Sequence, residues 1–241
     1  MKIENMDLIY FSPTQTTKKV LEAIAGGIQA KEVTHIDLTL PASIRQLNGD
    51  FAVIGVPVYG GRVPISAEQR LQQIDSRNTP AAVVVVYGNR EFEDALLELR
   101  NIVTDSGFIP IAGGAFIGEH SFATKDRPIA MGRPDPEDLE KAKHFGEQIR
   151  GKIADLDSFD KVPKLEVPGN FPYKERKKAP KISPITQETL CTTCGTCASV
   201  CPTSAITVNE TVLTHTEDCI RCCACVKNCP TEARVWDLPN E

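Results

Sequence analysis

The chain of 241 residues predicts a doubly wound α/β domain on a five-stranded parallel sheet, followed by a small cysteine-rich α+β domain. Three observations carry this. Apolar runs without alternation recur, as strands buried on both faces require. Amphipathic helical stretches separate them. All nine cysteines lie after position 190.

In order, residues 7–11 read as a strand, Thr16–Ile28 as a helix and 33–38 as a second strand. Residues 51–58 form a third strand, followed by a helix over 66–74. Pro80–Tyr87 is the clearest strand, a β-branched run, and an amphipathic helix over 92–106 follows it. A last strand region covers 108–112 and 116–117, and 136–153 closes the domain as a helix. In such folds ligands sit at the carboxyl ends of the strands, so the informative residues are those just after each strand.

After strand one stands Ser12-Pro13-Thr14-Gln15-Thr16-Thr17, opening a helix. Free N–H groups at a helix amino terminus attract phosphate, and this run carries more hydroxyls than capping needs. It has neither the glycines and Gly-Lys-Ser/Thr ending of an ATP loop nor the G-x-G-x-x-G of a dinucleotide fold. After strand three come Pro57, Val58, Tyr59, Gly60 and Gly61, in which glycines let the backbone approach a planar ligand and tyrosine offers a stacking ring. Tyr87, Gly88, Asn89, Arg90 and Phe92 follow strand four, with the Asn89 amide suited to a pyrimidine edge. A fourth loop, 113–122, follows the last strand and includes Glu119, His120 and Ser121.

The C-terminal domain is punctuated by two runs. Cys191, Cys194 and Cys197 lead to Cys201-Pro202; Cys219, Cys222 and Cys225 lead to Cys229-Pro230. The runs align at an offset of 28 residues and share Pro-Thr-x-Ala after the fourth cysteine, an internal duplication. Three thiolates two residues apart let a short loop wrap one face of a cubic cluster. Zinc knuckles present separated pairs instead, and a start without a charged-then-apolar leader argues for a reducing cytosol rather than disulfides.

The pattern C-x2-C-x2-C-x3-C-P resembles the bacterial two-cluster ferredoxins, in which the cysteine before each proline ligates the other cluster. The resemblance implies two [4Fe-4S] clusters, one held by Cys191, Cys194, Cys197 and Cys229, the other by Cys219, Cys222, Cys225 and Cys201. Cys223 occupies the position of Gly195 in the first copy and reads as a small packed thiol beside the cluster, the alternative being a redox-active thiol or a replacement ligand.

With its hydroxyl-rich loop and two ring-flanking loops, the first domain resembles a flavodoxin. The whole chain resembles the flavodoxin–ferredoxin fusion family. That resemblance implies FMN, with Ser12, Thr14, Gln15, Thr16 and Thr17 on the phosphate. Pro57, Val58, Tyr59, Gly60, Gly61, Tyr87, Gly88, Asn89, Arg90 and Phe92 would flank the ring, Gly60 or Gly61 lying near the flavin N5. One departure is that only residues 41–49 separate strands two and three, which reduces or removes the second helix.

The domains expected are 1–160, flavodoxin-like and FMN-binding; 161–184, a linker; and 185–241, the two-cluster ferredoxin domain. The linker is proline-rich and carries Lys164, Lys174, Arg176, Lys177, Lys178 and Lys181 with few acids, which reads as a solvated tether, the alternative being a docking site for an acidic partner or an anionic group. His35 and His144 read as surface or packing residues, and His120 lies on the ligand side.

The net charge of -5 argues against nucleic acid, and no apolar stretch is long enough to cross a bilayer. The expected function is relay of electrons among FMN, the clusters and soluble redox proteins in the cytoplasm, by a carrier more than an enzyme and without an assigned catalytic residue. Exchange within one chain and exchange across a homodimer are both compatible with the sequence. The competing reading is an FMN-dependent reductase of a small, quinone-like acceptor, for which His120, Glu119 and Tyr59 are the candidate groups.

Overall fold

The computed structural model describes residues 2–41, 47–156, 158–159, 162–176 and 181–236. The chain forms two compact units, the first extending through Arg176 and the second in the C-terminal part.

The first unit alternates β1 (Asn5–Tyr10), α1 (Thr16–Ile28), β2 (Glu32–Asp37), β3 (Phe51–Pro57), α2 (Ile65–Leu71), β4 (Pro80–Tyr87), α3 (Ala95–Asp105), β5 (Ile109–Ile117) and α4 (Pro136–Ala154). The sheet order is β2-β1-β3-β4-β5, with every pair parallel. This is the flavodoxin-like order, and its direction reverses between β1 and β3, which opens a crevice at their carboxyl ends.

Residues Phe51 to Val56 of β3 and Pro80 to Val86 of β4 are buried without alternation, as central parallel strands must be. On one face Val53 and Val84 pack with Val20, Leu21 and Ile24 of α1 and with Ile149 and Ile153 of α4. β2 is an edge strand with His35 exposed, its ring edge-on to Tyr10 at 5.9 Å. α4 begins with a capping box: Asp135 accepts from the Asp138 N–H, Asp138 accepts in return, and Pro136 fills the first turn. The expected reduction of the helix between β2 and β3 falls mainly on residues 42–46, outside the described residues.

Two expectations are corrected. The last strand does not break at Gly113-Gly114 but runs through from Ile109 to Ile117, pairing Gly113 with Val83 and Gly114 with Val84. The glycine at 113 marks a close approach instead, since a Cβ there would lie 2.8 Å from Val167 Cγ1.

Nor is the basic segment a solvated tether along its whole length. Residues 162–176 belong to the first unit. The Asn170 and Lys174 N–H groups donate to buried Asp94 at 2.8 and 2.6 Å, the Lys174 ammonium pairs with Glu93, and Arg176 reaches Glu98 at 2.9 Å and Glu68 at 3.1 Å. The acids missing from the local sequence come from α2, α3 and the turn before α3. Lys177 and Lys178 lie outside the described residues.

The second unit contains β6 (Ile185–Thr186), α5 (Thr196–Ser199), β7 (Ile206–Val208), β8 (Val212–Thr214), α6 (Ala224–Lys227) and β9 (Arg234–Val235). A shift of 28 residues carries α5 onto α6. It also exchanges the two antiparallel pairings: Ile206↔Thr214 becomes Arg234↔Thr186, and Thr207↔Leu213 becomes Val235↔Ile185. Left-handed backbone recurs at the same offset, at Thr193 and Arg221, Gly195 and Cys223, and Ser204 and Glu232. The duplication in sequence is thus a pseudo-twofold in structure.

Candidate functional site: a flavin crevice and two cysteine cavities

Ser12 is 1% exposed, and its Oγ accepts the Lys18 N–H at 3.1 Å, capping the third residue of α1. Gln15, at the N-cap, is left-handed with φ 62°, its N–H bonding the Ser12 carbonyl at 3.0 Å. The N–H groups of Thr16 and Thr17, in the first turn, have no intrahelical acceptor by the geometry of a helix start. Thr14 and Thr16 hydroxyls lie 3.3 Å apart and half-exposed, whereas Thr17 is buried. Thr14, Gln15 and Thr16 are therefore accessible to an anion, and Ser12 and Thr17 shape the loop from below.

The turn after β3 is closed by two backbone bonds, Tyr59 N–H to the Arg62 carbonyl at 3.0 Å and Arg62 N–H to the Tyr59 carbonyl at 3.3 Å. Gly60 and Gly61 at its centre have φ of 62° and 81°, values that favour glycine. Gly60 is exposed with open space where a Cβ would stand, whereas Gly61 abuts Glu93. Pro57, Val58 and Tyr59 are half-buried, and the Val58 N–H bonds the Val86 carbonyl.

After β4, Asn89 is left-handed and exposed beside exposed Arg90, and Phe92 packs edge-on to Tyr87 at 5.5 Å. The loops join around the crevice. Asp94 N–H bonds the Gly61 carbonyl, Gly88 abuts the His120 ring, and Gly118 abuts Thr16. Contacts thus pass from the post-β3 loop through the post-β4 and post-β5 loops to the hydroxyl loop. Glu93 and Gly118, which hold this ring together, were not singled out from sequence; their partners come from other strand ends.

His120 Nδ1 accepts the Phe122 N–H at 3.2 Å, which assigns the proton of the neutral ring to Nε2. Burial, with Arg90 nearby, holds its pKa below the ordinary value. At neutral pH it is a hydrogen-bond donor through Nε2 without being a cation.

In the second unit one hollow, about 300 Å³ counting the space open to solvent, is walled by Cys191, Cys194, Cys197 and Cys229, and another, about 350 Å³ on the same count, by Cys201, Cys219, Cys222 and Cys225. Each combines the first three cysteines of one run with the last cysteine of the other. Among the described residues no three His, Cys, Asp or Glu side chains converge on a single ion-sized point. The thiols are disposed around a volume, the arrangement a polynuclear cluster needs. Burial pushes the thiols of Cys197, Cys219, Cys222 and Cys225 up, so metal binding there must displace protons.

Cys223 lines the second cavity but is buried, with Sγ accepting the Trp236 indole N–H at 3.1 Å and burial raising its pKa to about 12. That is the environment of a packed thiol.

Comparison with known proteins bears on both units. Residues 183–230 match the family model of the 4Fe-4S dicluster domain. No curated protein sequence matches the chain. Solved structures similar to the first unit include a flavodoxin from the domain Archaea, 16% identical over 62% of this chain and 99% of that one, with a TM-score of 0.46. Flavodoxin 1 from Bacillus cereus is 18% identical over 64% and 99%, with a TM-score of 0.46. A WrbA-like flavodoxin from Agrobacterium tumefaciens is 14% identical over 63% and 98%, with a TM-score of 0.45. The β2-β1-β3-β4-β5 sheet and the duplicated cysteine runs lead to one organisation: a unit with the flavodoxin-like strand order is followed by a segment similar to the 4Fe-4S dicluster domain, the order of parts found in a flavodoxin–ferredoxin fusion.

Proposed function

We propose that the protein is an electron carrier in which FMN in the crevice exchanges electrons with soluble redox proteins by way of two [4Fe-4S] clusters. Flavin chemistry handles one or two electrons, and each cluster handles one, so the pairing converts between the two currencies of biological reduction. The observation that carries this reading is the crossed lining of the two cysteine cavities, three thiols from one run and one from the other. The flavin part is supported by the hydroxyl loop at the start of α1 and the glycine turn after β3, both at the carboxyl edge where this strand order binds FMN.

Cys191, Cys194, Cys197 and Cys229 would hold one cluster, and Cys219, Cys222, Cys225 and Cys201 the other. Thr14, Gln15, Thr16 and the first N–H groups of α1 would hold the phosphate. The residues 57–61 and 87–92 would enclose the ring. His120 would supply a neutral donor on the ring side, which is also the feature that a reductase of a small acceptor would use.

The test is anaerobic purification with iron, sulfide and acid-released flavin measured per chain. About eight irons and one FMN are expected. Iron without flavin after incubation with FMN overturns the flavin assignment, and a chain that takes up no iron and sulfide overturns the cluster assignment.

A further inference from the structure

The two halves of the second unit differ in kind at one buried position. Ile206 and Arg234 correspond across the 28-residue shift and are 7% and 2% exposed. Where one half packs a hydrocarbon, the other buries a guanidinium. The guanidinium is gripped from both halves: Nη1 donates to Thr186 Oγ1 at 2.6 Å, and Nη2 to Thr214 Oγ1 at 2.8 Å and to the Pro184 carbonyl at 2.9 Å. Thr186 and Thr214 are themselves equivalent under the shift, so Arg234 spans the pseudo-twofold.

Its surroundings are the cluster sites. Nη2, whose two N–H groups go to Thr214 and Pro184, lies 3.9 Å from Cys225 Sγ and so sets its charge against that sulfur. The same residue forms part of the wall of the cavity of Cys191, Cys194, Cys197 and Cys229. Its Nε is buried without a hydrogen-bond partner among the described residues. Guanidinium does not shed its charge in a protein, and a buried unpaired cation is costly. A thiolate-ligated cluster in each cysteine cavity would supply the missing negative charge.

We propose that Arg234 is a positioning residue that sets the reduction potentials of the two clusters, raising that of the cluster bound by Cys225 more than that of its neighbour. The inference rests on the cluster assignment above. Reduction places one electron, from a soluble one-electron donor, on an already anionic cluster, and no proton is needed. A fixed positive charge would stabilise the reduced form at both sites, and the 3.9 Å approach of Nη2 to Cys225 Sγ makes the effect larger there. Duplication made two like sites, and Arg234 makes them unequal, so a single electron resides preferentially on the cluster of Cys225.

The experiment is a potentiometric titration of the anaerobically loaded full-length chain, followed by the electron paramagnetic resonance of the reduced clusters, for wild type, Arg234→Gln and Arg234→Lys. Iron and sulfide are measured on each sample first; a wild type that binds neither refutes the cluster assignment itself. At full iron content, Arg234→Gln is expected to lower both potentials and to bring them closer together. The reduction equilibrium of the Cys225 cluster should fall by about tenfold, which is about 59 mV for one electron. Arg234→Lys keeps the charge but not the planar fork, so it should retain the higher potentials and lose part of their separation. Potentials that stay put, or that move in parallel with their spacing unchanged, overturn the proposal. If Arg234→Gln loses iron, Arg234→Lys decides alone, and an unaltered spacing in that variant overturns it.

Discussion

Ser12 does two jobs with one oxygen. Its Oγ caps α1 through the Lys18 N–H, and by doing so it sets the curve of the loop that carries Thr14, Gln15 and Thr16. Ser12→Ala should therefore cost about 1 kcal/mol in the unfolding free energy of the first unit and weaken FMN binding, read by urea denaturation and by quenching of flavin fluorescence. Gly61 is more demanding, because its φ of 81° and the closeness of Glu93 both oppose a side chain. Gly61→Ala should reduce flavin affinity more than Gly60→Ala, since open space surrounds Gly60; equal losses in a binding titration would contradict the turn as described. The left-handed glycine pair was legible in sequence as a turn. The abutment of Gly61 on Glu93 was not, because it depends on how two loops from different strands meet.

At the scale of elements, the segment from 169 to 176 is fastened to the first unit through buried carboxylates. Glu98 is 2% exposed on its side chain and accepts from Arg62 Nη2 at 2.6 Å, Arg176 Nη2 at 2.9 Å and the Val63 N–H at 2.8 Å. Arg62 in turn lies over the Tyr173 ring at 4.7 Å and donates to the Lys174 carbonyl. Glu98→Ala strands Arg62, while Arg176 keeps Glu68, and should destabilise the unit by about 3 kcal/mol, measured by chemical denaturation. Asp94 makes the fastening pH-dependent. Burial alone would raise its carboxyl, but the N–H groups of Lys174 and Asn170 outweigh this and hold it below its ordinary 3.8. A carboxylate with a depressed pKa in the folded chain contributes stability that is present above the unfolded value and lost as pH falls through the folded one. The unit should thus lose stability below about pH 4, and Asp94→Asn should be less stable at neutral pH with a flatter acid limb. Thr16–Ile28 and Pro80–Tyr87 were readable to the residue, the first from its helical periodicity and the second from its unbroken apolar run. β5 was read as interrupted, because paired glycines look like a break until Val167 is seen against one of them. The fastened segment was read as a tether for a related reason: its counter-charges stand far away in sequence.

For the whole molecule, the two units draw on different sources of stability. The first has a sheet with both faces covered, whereas the buried apolar cluster of the second is built around Cys197, Ile206 and Cys225. So small a core depends on what its cysteines bind. Iron chelation under reducing conditions should abolish the cooperative transition of the second unit and leave that of the first in place, as seen by calorimetry. A chain ended at residue 160 should melt below one ended at 176, because only the longer one keeps the contacts to Asp94 and Glu98. The two-unit organisation and both cysteine runs were open to reading from sequence, since motif spacing is local. The burial of Arg234 was not drawn from sequence, although the 28-residue alignment already sets an arginine opposite an isoleucine.

The crossed lining of the cavities has a consequence for assembly. Because each run finishes the wall of its partner's cavity, neither half of the second unit would hold a cluster alone. Loss of Cys201 damages the site of the later run, and loss of Cys229 that of the earlier one. If the cavities take clusters, metal uptake at one site would fix a loop that the other needs, so loading is expected to proceed as an all-or-none event, which stepwise iron reconstitution would check.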